Sequence, residues 1–354
     1  MTSVPDAAES MLVVHIGAGN HLRSRDSEYK KLLHSALRSP CHNSAAIALE
    51  APALTNTGRG SSLNMDGNVE CDAGVIRANM NEKKIQVSVA AHNIQHKTPI
   101  VALLGSLEAL SQAYSARYGL WGLSAPVVFD YGAIALRFGL KIHPQTELVP
   151  DEKRKVFELY RDRIEKTHLE VSASVEGVQD TIGVIDASDE ILTVLSSSGG
   201  NFFKLPGRIG CAGMVGAASA VRFVGLWTIG CLCSGNGDDI VQMNLAATIA
   251  GRFKDADTFG FLLVSYIQEA AEPLPLQAQD SHGNRIIYVG VLCVLRNNCT
   301  GETRLVYCHS TESFYFGYRD KQKLQPRTVL SRSRAGVFVQ GEYRISDRVI
   351  GSAN

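Results

Sequence analysis

The sequence predicts an α+β fold in which layers of sheet pack against layers of helix. Three observations carry that expectation. The apolar runs that suit strands cluster in the second half of the chain, and amphipathic helical patterns cluster in the first. Such segregation favours packed layers over a doubly wound parallel sheet. Composition also fits: of 354 residues, 45% are hydrophobic and 20% charged, which is ordinary for a globular chain.

Residues 11–18, MLVVHIGA, form an apolar run ended by Gly17 and Gly19, a strand followed by a turn. Tyr29, Leu32, Leu33, Ala36 and Leu37 recur at helical spacing within Asp26–Leu37, and a second helix is expected over Ser44–Glu50. Residues 55–68 are too polar for core and too rich in Gly and Asn for a helix, so they should be loop and hairpin. Ala102–Tyr114 and Tyr131–Phe138 are further helices.

Residues 151–170 carry six acids and six bases, with opposite charges at helical spacing such as Arg154/Glu158 and Asp162/Lys166. They predict a solvated helix, part of a charged linker over 145–180. Strands then follow at Thr181–Asp186, Ile191–Ser197, Ile286–Arg296, Arg304–His309 and Phe314–Tyr318. The small-residue or apolar-periodic stretches Gly207–Arg222 and Asp239–Phe253 read as helices.

Charge excludes several functions. Lys plus Arg and Asp plus Glu are 35 each, which gives no footprint for nucleic acid or an acidic membrane. No apolar run reaches the ~18 residues of a membrane span, and the N-terminus carries acids where a secretory signal carries bases. An intracellular protein of cytoplasm or nucleus is expected. The eight cysteines include no C-x-x-C pair, so reduced, packed thiols are expected, with Cys231 and Cys233 on one strand face.

Three familiar motifs fail. Val14–Gly19 runs a strand into G-x-G, but Leu22 stands where a dinucleotide fingerprint needs its third Gly. His92 and His96 lack the Glu of H-E-x-x-H and read as helix-surface histidines. No serine has Gly two residues away on both sides, as a nucleophile elbow requires.

A denser signal begins at Asp180-Thr181-Ile-Gly183 and continues through Ser196–Gly200, Lys204–Gly210 and Ser234-Gly-Asn-Gly-Asp238. In order and spacing these resemble the type-2 asparaginases of the N-terminal nucleophile (Ntn) hydrolases, and most closely their threonine aspartase (taspase) branch. His15–Gly19, Glu28-Tyr-Lys30, Leu54–Asn64, Gly67–Ala73, His309–Ser313 and Gly317-Tyr318 also fit. The resemblance implies a four-layer αββα sandwich, made as a precursor and cut before Thr181. Residues 1–180 would form one subunit and 181–354 the other, in one folded domain.

The chemistry agrees. A threonine hydroxyl needs a base, and an α-amino group freed at Thr181, with an unperturbed pKa of about 7.7–8.0, can serve beside it. By resemblance Ser198 hydrogen-bonds the nucleophile and its amine, and Ser234 and Gly235 form the oxyanion hole. Gly237 lets backbone approach the substrate carboxylate, which Arg208 binds with its planar fork. Asp180 is the residue that discriminates: asparaginases usually carry Gly before the nucleophile and taspases carry Asp. Cys211 stands where asparaginases bind the substrate α-ammonium with Asp, and a neutral thiol cannot pair with a cation.

Other departures are Thr57 and Arg59 in the glycine-rich segment, a short helix pair over 26–50 and a short hairpin after Thr181. The expected function is a threonine endopeptidase that cuts itself at Asp180–Thr181 and cleaves polypeptides after aspartate. The alternatives are an L-asparaginase or isoaspartyl peptidase, and an uncut, inactive scaffold. Partners would be Asp-containing polypeptides and the two cleaved halves, paired as a heterodimer that can pair again. No cofactor is expected beyond the sodium that the resemblance allows in the glycine-rich loop.

Overall fold

A computed structural model describes residues 10–166, 180–188, 190–320 and 325–346. The expected strand at the start is β1 (Met11–Gly19), and the two helices that follow are α1 (Asp26–Leu37) and α2 (His42–Glu50). The Gly- and Asn-rich segment is loop with one 3-10 turn at Gly58–Gly60. A hairpin of β2 (Cys71–Asn79) and β3 (Lys84–Ile94) leads to α3 (Pro99–Ala116), short β4 (Val128–Asp130) and α4 (Tyr131–Phe138). Next come α5 (Gln145–Leu148) and α6 (Asp151–Lys166).

After Thr181 the chain forms β5 (Ile182–Ala187), β6 (Ile191–Ser198), β7 (Ser219–Val224) and β8 (Trp227–Gly235). Helices α7 (Gly237–Met243), α8 (Leu245–Gly251) and α9 (Ala256–Ala271) follow. The chain ends with β9 (Val289–Asn297), β10 (Thr303–His309), β11 (Ser313–Arg319), β12 (Arg327–Arg332) and β13 (Val339–Ser346).

One sheet has the order β12-β11-β1-β5-β6-β2-β3-β4, antiparallel except for β3 with β4, and the second has the order β13-β10-β9-β8-β7. Strand alternation sorts the apolar side chains into separate clusters. Leu12, Val14 and Ile16 of β1 pack with Leu33, Leu49 and Leu103 of the helices. Met11 and Val13 face Leu232, Leu292 and Val294 of the other sheet. The far side of that sheet, including Cys231, Cys233 and Val291, packs against Ile249, Phe259 and Leu263. Cys231 and Cys233 thus share one strand face, as their spacing predicts.

Three expectations are corrected. Gly207–Arg222 is loop, a 3-10 turn at Cys211–Gly213 and then β7; positive φ at Gly207 and Gly216 (80° and 87°) breaks any helix. Asp239–Phe253 is two helices, because Asn244 adopts φ 44° between α7 and α8. His92 belongs to β3, and His96 lies in the loop after it, edge-on to His143 at 4.6 Å.

Of the expected linker, Gln145–Leu148 and Asp151–Lys166 are helical. The latter is also docked: Phe157 is 4% exposed and stacks on Phe203 at 5.2 Å, and Lys153 Nζ donates to the Gly60 carbonyl at 2.8 Å. Residues 167–179 lie outside the described residues, so the remainder of that expectation does too.

Candidate active site

Thr181 immediately precedes β5 of the central β5–β6 pair, and its position is set from both sheets. It is 2% exposed. Its backbone N–H donates to Ser234 Oγ at 3.0 Å, and the same oxygen accepts the Ala18 N–H at 2.9 Å. Ser234 from one sheet therefore ties the nitrogen of the 180–181 peptide to β1 of the other. Ser198 Oγ, from the end of β6, donates to the Asp180 carbonyl at 3.4 Å and accepts Gly200 N–H at 3.0 Å.

The two serines thus flank the peptide that precedes Thr181. The contacts differ from those expected by resemblance: in the continuous chain Ser198 touches the carbonyl oxygen, and Ser234 touches the nitrogen that cutting would free. Gly235 lies at the end of β8, where a side chain would run into the Tyr288 carbonyl; its φ is 128°.

Cys211 Sγ lies 3.5 Å from Thr181 Oγ1. Burial pushes this thiol above its ordinary range, so the group facing the Thr181 hydroxyl is neutral. The Gly-rich loop supports the strand end behind it. Gly199 N–H donates to Asn56 O at 2.6 Å, Asn56 Nδ2 donates to Gly200 O at 2.9 Å, and Lys204 Nζ donates to Gly199 O at 2.7 Å.

Arg208 pairs with Asp238, its Nε at 3.0 Å and its Nη2 at 2.6 Å from Oδ1. Asn201 Nδ2 holds the other Asp238 oxygen at 2.9 Å. Nη1 of Arg208 is buried without a partner among the described residues. Gly200, Gly210 and Gly237 surround this guanidinium, each close enough that a β-carbon would touch it. Gly237 thus clears space for Arg208, where the sequence reading gave that space to the substrate carboxylate. Asp72, fully buried with its carboxyl pushed upward by burial, accepts Gly210 N–H at 2.8 Å.

The side chain of Asp180 does not reach Arg208. It is fully buried against Gly17 and Gly19, where β1 carries a bulge and Gly17 has φ 109°. His21 Nε2 lies 3.0 Å from Asp180 Oδ2, yet neither carboxylate oxygen accepts a well-aligned hydrogen bond. Sequence reasoning missed His21, because a lone histidine two residues past Gly19 has no pattern. It also missed Asp238, although that residue closes a motif it had singled out. The failed G-x-G motif acquires a role here: the two glycines make room for Asp180.

The sodium ion that the resemblance allows meets a competitor. Lys153 already presents an ammonium to Gly60 O, and the Thr55, Thr57 and Gly58 carbonyls accept backbone N–H groups. Among the described residues no cluster of three or more His, Cys, Asp or Glu could hold a metal, and no helix is long and apolar enough to cross a membrane.

Residues 131–278 match the asparaginase family, a stretch shorter than half the chain. The chain is 27% identical over 214 residues to a plant-type L-asparaginase of Pyrococcus furiosus, covering 58% of this chain and 62% of that protein. It is 27% identical over 230 residues to an isoaspartyl peptidase/L-asparaginase of Synechocystis sp., covering 63% of each. A Bos taurus protein of the same description is 27% identical over 209 residues, covering 57% of this chain and 59% of its own length. The alignments therefore span less than two thirds of these relatives. These names agree with the asparaginase or isoaspartyl peptidase alternative better than with a threonine aspartase. Over residues 131–278, which hold Asp180, Thr181, Ser198, Arg208, Cys211 and Ser234, the chain is thus similar to the asparaginase family of Ntn hydrolases.

Proposed function

We propose that the chain is a threonine-type Ntn hydrolase with a four-layer αββα arrangement that cuts itself between Asp180 and Thr181. It then hydrolyses polypeptide bonds that follow aspartate. The observation that carries this reading is the buried Thr181 hydroxyl beside the neutral Cys211, with Ser198 on the preceding carbonyl and Ser234 on the peptide nitrogen. The three core clusters, helix to sheet, sheet to sheet and sheet to helix, support the layering.

In the first step Thr181 Oγ1 attacks the Asp180 carbonyl carbon. The C–Oγ bond forms, the C–N bond breaks, and the hydroxyl proton passes to the departing nitrogen. Water then hydrolyses the ester, leaving a carboxylate on Asp180 and a free amine on Thr181. Ser198 is placed to donate to the oxygen on which negative charge develops; one such donor is typically worth about 10²–10³ in rate. Ser234 keeps the new amine beside its own hydroxyl.

In later turnovers that amine takes the Oγ1 proton as base. The ester now forms with the incoming carbonyl, and the proton is delivered to the leaving amine of the substrate. Arg208, with Nη1 free and its other nitrogens held by Asp238, is the group for the substrate aspartate carboxylate. A peptide brings an uncharged amide nitrogen, which suits a thiol at Cys211; a free amino acid brings an ammonium, which does not. On this reading the two pieces remain together as a heterodimer.

The names of the relatives favour a second reading, hydrolysis of asparagine or β-aspartyl dipeptides. Intact mass and N-terminal sequencing of the purified protein test self-cleavage: two pieces, the second starting Thr181-Ile182-Gly183, are expected. Side-by-side assay of an Asp-containing peptide, asparagine and a β-aspartyl dipeptide separates the two readings. One uncut chain without hydrolysis of any of them would leave the scaffold.

A further inference from the structure

We infer that His21 is a positioning residue for self-cleavage: it holds the Asp180 side chain of the uncut chain, separately from the Arg208 that receives an incoming aspartate. This inference rests on the self-cleavage reading above and adds a second, internal recognition of aspartate to it.

The pocket around Asp180 is built for that side chain. Its floor is Gly17 and Gly19, whose missing β-carbons are what let Asp180 lie there. Its wall is His21, itself 2% exposed. The imidazole is fixed on every side. Its Nδ1 is 2.8 Å from Ser313 Oγ, which also accepts the His21 N–H at 2.9 Å. One face stacks on Tyr315 with centroids 4.5 Å apart, and Tyr29 meets the ring edge-on at 4.9 Å. Tyr315 is braced in turn by its hydroxyl bond to Asp26 at 2.7 Å and by Arg332 over its ring.

The protons can be assigned from this network. Ser313 has one hydroxyl proton and gives it to the Gly19 carbonyl at 2.9 Å. Ser313 must then accept from Nδ1, which carries a proton. Nε2 faces Asp180 Oδ2 at 3.0 Å, a close electrostatic contact without the alignment of a hydrogen bond. That contact is lost if the carboxyl group is missing. A buried carboxyl group with no other partner is costly. Arg208 is held by Asp238 through Nε and Nη2, and the Asp180 side chain is held elsewhere, facing His21.

The test is a double-mutant cycle on the full chain, followed as first-order conversion of one band to two after synthesis. His21→Ala should slow conversion at least tenfold when Asp180 is present, and less than twofold further in the Asp180→Asn background. His21→Gln, whose amide can still reach the carboxylate, should convert at least threefold faster than His21→Ala. A second readout needs no cleavage: in the uncuttable Thr181→Ala chain, the ¹⁵N signals of the His21 ring should shift on Asp180→Asn.

Equal slowing by His21→Ala in both backgrounds would assign a merely structural role and overturn the inference, as would unchanged ring signals. If the unsubstituted chain is cut and His21→Ala is cut as fast, self-cleavage stands and this inference falls. If the unsubstituted chain never cuts, the self-cleavage reading itself falls.

Discussion

Gly19→Ala tests the geometry around the cut with little backbone strain, because Gly19 is not among the residues of positive φ. A β-carbon there would lie 2.3 Å from Asp180 Oδ1, where ordinary contact begins at 3.4 Å. The Asp180 side chain must therefore retreat by about 1 Å. It is packed on all sides, so the displacement passes to its carbonyl, the atom pair that Thr181 Oγ1 must approach. Misplacing a reacting group by about 1 Å can cost about 10²-fold, or about 2.7 kcal/mol of barrier. Gly19→Ala should therefore lower the first-order rate of self-cleavage by about two orders of magnitude. Timed denaturing gels and intact mass measure that rate, with thermal unfolding of the Thr181→Ala/Gly19→Ala chain as the control for folding. Conversion within threefold of the unsubstituted rate, in a folded protein, would refute the reasoning.

Four other outcomes are expected. Thr181→Ala should remain one intact band, and a matured Thr181→Ala protein would remove that hydroxyl from the cut. Arg208→Lys keeps the charge but loses the fork that holds Asp238; kcat/KM on an Asp-containing peptide should fall by about 10–100-fold, the worth of a charged hydrogen bond. Cys211→Asp should raise the hydrolysis of asparagine at least tenfold relative to the peptide, measured by ammonia release against peptide cleavage. Glu50 is fully buried, and burial pushes its carboxyl up to about 8. The native state therefore holds a proton that the unfolded state loses above about 4.5, so stability is present at low pH and is lost as pH rises towards 8, by up to about 1.4 kcal/mol per unit. Urea unfolding of the Thr181→Ala chain between pH 5 and 8 should show this decline, and Glu50→Gln should flatten it.

Much of the fold was legible because periodicity writes it directly. Asp26–Leu37 and Tyr131–Phe138 follow their apolar spacing to the residue, and strands β5, β6, β10 and β11 lie within a residue or two of their apolar runs. Gly207–Arg222 misled because small residues allow both helix and close-packed loop, and the choice was made by Gly207, Gly216 and the tertiary contact of Cys211 with Thr181. The region around Thr181 was legible as an ordered series of motifs. The partners of Asp180 were not, since Gly17, Gly19 and His21 lie more than 150 positions away in sequence and meet it only through the β1–β5 pairing. The exchange of contacts between Ser198 and Ser234 is likewise set by how the two sheets meet, which no local pattern encodes.

The order of the larger sheet has a consequence for a chain severed at residue 180. Strands β12 and β11 come from the second piece, β1 from the first, β5 and β6 from the second, and β2, β3 and β4 from the first. In this sheet the fragments are interleaved like fingers of two hands, whereas the five-stranded sheet belongs wholly to the second piece. Parting them would break ladders at β1–β11, β1–β5 and β2–β6 together, so dissociation would dismantle the larger sheet. A denatured sample of the severed protein would have to recover by a second-order encounter and would depend on concentration, whereas the continuous polypeptide regains its shape alone.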